Sequence, residues 1–550
     1  MRTVILVCFV SLLGFIQGLC PHLAGDLELW SESNTWGAGG IPTADSDVDI
    51  TKPILVDDLA VSQYNCIYVK SGGRLVFSPD HNPNLRVHCI VIENGGEMHI
   101  GSEDCRFIGN VDITLLGEHV DIDIAGFGGK FIGVRQGGIL ELHGEEKLGW
   151  TKLTETAPKF DYTAGQSFRH REVPGIDNRA GMYIYHFNRT GGMVSSIFKR
   201  LDRNTQAQQD ANIAELFTFL YRDRIVIAST DYKYNQAEVV MIERCDECDD
   251  NQIKLSRPLF YTHFGEIYKG VDMRAEVGML TRKIHIKGEI ASGNTNGGHI
   301  KFLMGFKSVR VQGIELSSMG DPEILGRYPL HYHMCLDLLD DDVYDTRSYI
   351  RQNSIHDTFR CVTVHGTHNA LLVGNTCYNT IGHGYFLEDG EEKGATLYGN
   401  LALNQRKWTG AVRVPPDSNP TGAIPTDKSK GPVSFWLTNP NVKVLNNAAG
   451  GGDGVGFWFI YPDLPTGPSR NLNLTQFEES KHTEIMLFEN NVAHSYMRAG
   501  LFIDNIEQDD LTASGYNKYD PWENPLIKSD HVPFYITRLT GSYHLHLLIL

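Results

Sequence analysis

Five asparagines recur at a spacing that leaves few folds open. NSIHDTF begins at Asn353, NTCYNTI at Asn375, NLALNQR at Asn400, NAAGGGD at Asn447 and NVAHSYM at Asn491. The intervals are 22, 25, 47 and 44 residues, so the last two are each about two coils, or one coil with an insertion. Nine residues after four of these asparagines comes a short strand: VTVHG from Val362, GYFLED from Gly384, GFWFIY from Gly456 and GLFID from Gly500. A unit of this length cannot bury its own apolar face, so neighbouring units must stack. An Asn at the same corner of every coil can hydrogen-bond its stacked neighbour, satisfying groups that a buried bend would otherwise leave unpaired. The pattern predicts a mainly β chain built on a right-handed parallel β-helix over residues 301–504.

The N-terminal part carries a second repeat. VKSGGRLVF ends at Phe77, IENGGEMHI at Ile100 and VRQGGILEL at Leu142, with glycine pairs beginning at Gly72, Gly95 and Gly137. Paired glycines permit positive φ at a turn, and the alternation that follows them is that of a half-buried strand. A β-solenoid and a β-sandwich both fit this β-rich segment, residues 26–150. Residues 151–220 differ. GMYIYHF, a glycine turn and MVSSIF read as a hairpin, and QAQQDANIAELFTFL reads as an amphipathic helix with Ile213, Leu216, Phe217 and Leu220 on one face. This is a small α/β insert, followed by a β connecting segment over 221–300. The Pro-, Gly- and Ser-rich stretch from about Pro415 to Pro432 reads as a loop leaving the solenoid.

Arg2, the apolar run Val4–Ile16 and Gly18 make residues 1–18 a secretory signal peptide. No later stretch reaches the ~20 apolar residues of a membrane span, so a secreted, extracellular protein is expected. Ten cysteines include Cys8 in the signal, which leaves nine in a disulfide-permissive setting, an odd number that means one thiol is free, paired between chains or missing its partner. Cys245 and Cys248 lack a second C-x-x-C to complete a zinc site, so they read as a local disulfide. Asn188 and Asn473 open glycosylation sequons. The net charge of −18 argues against nucleic acid and against general attraction to a polyanion, so an acidic ligand would need a local basic groove or a bridging cation. No G-x-S-x-G elbow, phosphate loop or dinucleotide fingerprint is present.

The same residues resemble a known family. WSESNTWGAGGIPTADSDVDI from Trp30 is similar to the opening of the eight-glycine domain in the family of cell-migration-inducing hyaluronan-binding protein and cell-surface hyaluronidase (transmembrane protein two). IVIASTDY, QAEVVMIERC and GVDMRAEVGMLTR follow in that family's order, and GGHIKFLMGF, GRYPLHYHMC, SIHDTFRCVTVHG and GFWFIYPDLPTGPS resemble its β-helix. Fibrocystin-like proteins share the first part more than the second. The resemblance covers nearly all of residues 26–504. It implies an eight-glycine domain, a GG domain, parallel β-helix repeats, and binding and depolymerisation of hyaluronan or a related acidic polysaccharide, with calcium as a candidate cofactor. The signal peptide makes the chain look more like the secreted member. The short GG segment and the divergent tail, 505–550, look like a truncation.

Glycosidic hydrolysis needs two carboxyl groups in different protonation states. Glu388 and Asp389, near His383, are the compact candidates, although an acidic run is more often a solvated turn. His331 and His333 flank Tyr332, so alternation puts both imidazoles on one face, suited to metal ligation or acid–base work. In a lyase reading, Tyr332 joins the two histidines in removing the uronate proton. A binding protein without turnover is the non-enzymatic alternative. Asp340, Asp341 and Asp342 supply hard oxygens for calcium. Arg351, Arg406 and Lys407 offer charge to a uronate carboxylate, and Arg179 falls where relatives of the family have an arginine.

Overall fold

The computed structural model describes residues 20–59, 61–117, 123–159, 184–186, 222–246, 252–290, 296–322, 324–407, 432–504 and most of 506–549. Its strands stack in parallel, coil upon coil. One face is a twelve-stranded sheet from Glu28–Leu29 to Ile536–Thr537. The other strands of the solenoid form a 21-stranded assembly of two ladders that meet at Asn84–Ile92, whose first half pairs with Val111–Leu115 and whose second half pairs with Phe131–Val134. Inward side chains stack in columns, such as Leu75, Met98, Leu140 and Val309, into one continuous apolar core.

The five asparagines stand on one another as the spacing predicts. The side-chain amide of Asn353 donates to Asn375 Oδ1 at 3.0 Å, Asn375 to Asn400 at 3.0 Å, Asn400 to Asn447 at 3.1 Å and Asn447 to Asn491 at 3.2 Å. Each of these acceptors also takes the backbone amide of the preceding Asn, and all five side chains are buried.

Between sandwich and solenoid, the glycine-pair segment is the solenoid: Leu140 pairs with Met98 on one side and Val309 on the other. Gly72, Gly95 and Gly137 take φ of +80°, +75° and +75°. A Cβ on Gly73 or Gly96 would run into the carbonyl of Ile50 or Val69 in the coil below, so the second glycine is dictated by coil spacing.

The connecting segment 221–300 divides in two. Ile284–Gly288 and His299–Leu303 are solenoid strands. Arg224–Ile227, Glu238–Glu243, Gln252–Leu255 and Glu276–Met279 form an antiparallel sheet with Trp150–Lys152 and Ile184–His186. That sheet has its own core of Leu153, Ile225, Ile227, Val240, Ile242, Leu255, Val277 and Met279. Val226, Ala228 and Leu280 turn the other way, onto Tyr378, Leu401, Leu403 and Ala448 of the solenoid. The helix expected over 206–220 lies outside the described residues. The tail is not separate from the solenoid, because Ile536–Thr537, Thr540–Ser542 and His546–Ile549 add a further coil.

Disulfides join Cys20 to Cys105, Cys66 to Cys89 and Cys361 to Cys377. Cys335 is a free thiol, buried in the core, which raises its pKa to about 12. Cys245 is disulfide-bonded, but Cys248 lies outside the described residues, so their pairing is not assigned.

Replacing Asn400 by Ala removes two donated and two accepted hydrogen bonds, and strands the amide of Asn375. Asn400→Ala is expected to lower stability to urea by about 2–4 kcal/mol; a loss well under 1 kcal/mol would mean that the ladder is not holding the coils. In the antiparallel sheet, Glu238 is buried and accepts from Arg257 Nη1, the Phe260 and Tyr261 amides and His263 Nε2. Burial alone would raise its carboxyl, but these donors outweigh it and hold the pKa at about 2, below the ordinary value of 4.5. A folded-state value below the unfolded one stabilises at pH above 4.5 and is lost as pH falls towards 2. The stability gap between the wild type and Glu238→Gln, on the order of 3 kcal/mol at neutral pH, should therefore close below pH 4.5, as followed by urea unfolding across pH.

Candidate functional site

Alternation along three successive coils fixes which side chains leave the core. In Leu330–Asp337, Leu330 and Tyr332 point inward while His331 and His333 point outward. Val362–His368 pairs with it in register, His331 beside Thr363 and His333 beside His365, and Tyr385–Leu387 pairs in turn with Val362–His368, Leu387 beside Val364. One residue further on, Glu388 donates its amide to the Val364 carbonyl. His333, His365 and Glu388 thus follow one another up the outer face. Between His333 and Leu336 the strand bulges, with Met334 and Leu336 at φ of +54° and +58°, a left-handed backbone that bulky residues rarely adopt.

The outward groups converge. The nearest ring nitrogens of His331, His333 and His365 lie within 4.8 Å of one another, the one such metal-type group among the described residues. His333 Nδ1 and His365 Nδ1 are 3.2 Å apart. Glu388 Oε2 is 3.5 Å from His365 Nδ1 and 3.9 Å from His331 Nε2. The Tyr328 hydroxyl donates to Glu388 Oε1 at 3.2 Å, and His365 Nε2 meets Asp389 Oδ2 at 2.9 Å.

Although it faces outward, the group is covered. Glu388, Asp389, Glu391 and Glu392 are 4%, 1%, 0% and 0% exposed, so the acidic run is a buried cluster rather than a solvated turn. The loop of the turn Gly467–Leu472 lies over it, with the Thr466 amide on the Asp389 carbonyl at 2.9 Å and Ser469 Oγ 3.6 Å from Met334 Sδ. Glu392 accepts the Gly366 and Gly390 amides, each at 2.9 Å. Burial and neighbouring Asp389 push Glu392 far above the usual carboxylate range; Asp389, despite its burial, is held below it by His365. Burial would lower His365 as well, but the Glu388 and Asp389 carboxylates outweigh it and raise its pKa to about 9. Burial, with charge at His365, lowers His333 to about 3; burial drives His331 far down. Lys301, beside His331 in register, is lowered by burial and by Arg327. The Arg360 guanidinium is packed 3.7 Å from the Phe386 ring centre.

Of the candidates read from the sequence, His331, His333, Glu388 and Asp389 come together. Spacing from the corner asparagines sets His365, twelve residues after Asn353, level with Leu387; the one-residue shift by which Val362 pairs with Tyr385 brings it beside Glu388 instead. Tyr328 and Lys301 carried no signal beyond their neighbours. Tyr332 is corrected: it is fully buried inside the solenoid against Phe302, so it neither binds substrate nor serves as the base of a lyase. His383 is also a core residue, stacked on Phe386 and Trp436 and accepting the Val433 amide at 3.1 Å. Arg351 lies on the twelve-stranded sheet, bound to Gln312 at 2.6 Å and Glu103 at 3.1 Å. Arg406 and Lys407 stand at a coil corner, where the Lys407 amide meets Asp453 at 2.8 Å, outside the cluster.

Asp340, Asp341 and Asp342 are exposed, and Asp340 caps the Asp342 amide at 3.0 Å. Among the described residues, no group of three ligand atoms includes their carboxylates. Asn473 is exposed, at a left-handed φ of +52°. Arg179 and Asn188 lie outside the described residues.

A parallel β-helix carrying imidazoles and carboxylates on its outer face is thus the class of protein the coils and the cluster define. Within that class the chain is specific: residues 35–154 match the G8 domain and residues 295–501 the CEMIP beta-helix, so it carries both. It is 31% identical to a Dictyostelium discoideum protein over 86% of this chain and 42% of that one. It is 29% identical to the cell surface hyaluronidase of Danio rerio, over 91% of this chain and 46% of the relative. With the cell migration-inducing and hyaluronan-binding protein of Homo sapiens the identity is 28%, over 91% and 53%. The chain spans about half of these relatives' length, or less. Among the described residues, no helix is long and apolar enough to cross a membrane.

Proposed function

We propose that this chain acts outside the cell on hyaluronan or a closely related uronate polysaccharide, and that it cleaves the polymer at the His331–His333–His365–Glu388 cluster. The names of the curated relatives support the polymer, and the disulfides support the compartment. The observation that carries the site is Glu388, a buried carboxylate held among a tyrosine hydroxyl and two imidazoles on the outer face.

Cleavage of a glycosidic bond requires a proton at the leaving oxygen and a stabilising group at the sugar carbon. Glu388 gives the proton to the leaving oxygen, because Tyr328 orients one of its oxygens and the histidines face the other, and the water that adds its oxygen at the sugar carbon returns a proton to Glu388. Asp389 acts through His365, as a positioning residue. Lys301 supplies a cation for the uronate carboxylate, which answers the net negative charge locally.

Purified protein incubated with high-mass fluorescent hyaluronan, with and without calcium, should give fragments by size-exclusion chromatography. Glu388→Gln should slow fragmentation by at least about 100-fold while keeping the wild-type circular dichroism. Intact polymer co-eluting with folded protein would make this a binding protein. Fragments with the ultraviolet absorbance of an unsaturated uronide would make it a lyase, and either result would overturn the hydrolytic assignment.

A further inference from the structure

The imidazole cluster has an arrangement that acid–base chemistry does not require. The ring nitrogens facing away from its centre are tied to acceptors in two of the three residues. His331 Nδ1 donates to the Gly326 carbonyl at 2.9 Å, and His365 Nε2 donates to Asp389 Oδ2 at 2.9 Å. Each bond occupies the outward nitrogen and turns the other, His331 Nε2 or His365 Nδ1, towards the centre, where a metal ion would displace the proton that His365 carries. An imidazole whose remote N–H is held by a carbonyl or a carboxylate is the usual state of a metal ligand.

His331 is fully buried, and its Nε2 has no hydrogen-bond partner. A buried polar atom left in that state costs about 1–3 kcal/mol unless something not yet counted satisfies it. His333 Nδ1 and His365 Nδ1, at 3.2 Å, already stand near the ~3.4 Å that two nitrogens span across a tetrahedral zinc at about 2.0–2.1 Å from each. The ligand nitrogens of all three lie within 4.8 Å of one another. Glu388 Oε2 stands on the same side as a fourth, anionic donor. His333 is only half-buried, which leaves a way in from solvent.

We propose that His331, His333 and His365, with Glu388 as a fourth donor, form a binding site for one divalent transition-metal ion, zinc in the first instance. Three imidazoles and one carboxylate suit a borderline cation and are a poor match for calcium, which takes oxygen ligands. Asp389 and the Gly326 carbonyl are the outer shell that orients two of the ligands. The inference concerns metal occupancy and stands whether or not hyaluronan is the substrate; while the ion is bound Glu388 is a ligand, and the proton transfer proposed for it belongs to the metal-free site.

The test needs no polysaccharide. Tag-free full-length chain, purified without chelator, should carry close to one equivalent of transition metal by elemental mass spectrometry. Protein stripped with a chelator and titrated with Co²⁺ should develop the visible bands of a four- or five-coordinate site and saturate at one equivalent, which zinc then displaces. His365→Gln should abolish the bands, and Asp389→Asn should weaken Co²⁺ binding by about 10–100-fold. Circular dichroism and the elution volume of each variant check that it is folded; the stripped wild type supplies the titration even if a variant is not. Stripped protein that takes up no Co²⁺, or bands unchanged in folded His365→Gln, would overturn the site. An imidazolium bridging His333 and His365 would then account for their short contact, as ring-nitrogen chemical shifts would show.

Discussion

The asparagine ladder is the interaction on which the rest of the molecule depends. A parallel solenoid bends its backbone at every corner, and each bend removes amides and carbonyls from the sheets' own pairing. Here Asn353, Asn375, Asn400, Asn447 and Asn491 take up those groups: the first four each bond the next asparagine through the side-chain amide, and a carbonyl nearby is met as well, as Asn375 meets Ile350 and Asn491 meets Val444. The ladder sets the vertical register between coils, because a slip of one residue would break every rung. Register in turn sets which outward side chains become neighbours.

Placement of the candidate site follows from that register. His331 and His333 come from one coil, His365 from the next and Glu388 from the one after, at the same height on one ladder. Rigid stacked strands can hold buried imidazoles and carboxylates together, where a loop would let them relax towards water. The bulge at Met334 and Leu336 lies directly after these histidines, where a local departure from regular pairing redirects side chains. The loop over Gly467–Leu472 completes the enclosure and lowers the local dielectric, so that Glu392 is driven towards its neutral form while Asp389 stays ionised beside His365.

The antiparallel sheet shows a different use of the same histidine positions. His356 and His494, three residues after their corner asparagines, bind Glu315 at 3.0 Å and Glu276 at 2.7 Å. Glu276 belongs to the antiparallel sheet, and Glu315 also holds Arg224 of that sheet at 2.7 Å. Histidines on this side of the solenoid therefore dock a second layer, whereas those beside the acidic run face one another. The difference is which element covers them.

The sequence by itself determined the coil length, the stacking of the asparagines and the placing of His331 and His333 on one face of their strand with Tyr332 on the other. These follow from local chemistry: a repeat period, a side chain that can bond its own copy, and the two-residue pleat of a strand. It could not decide between sandwich and solenoid for the glycine-pair segment, because that rests on Leu140 finding Val309 across an intervening sheet. Nor could it show that Tyr332 and His383 belong to the core, that His365 joins the cluster, or that Glu388–Glu392 is buried. A side chain's direction is settled within its own strand. Its neighbours and its dielectric are settled by coil register and by loops distant in sequence, which only the folded chain brings into place.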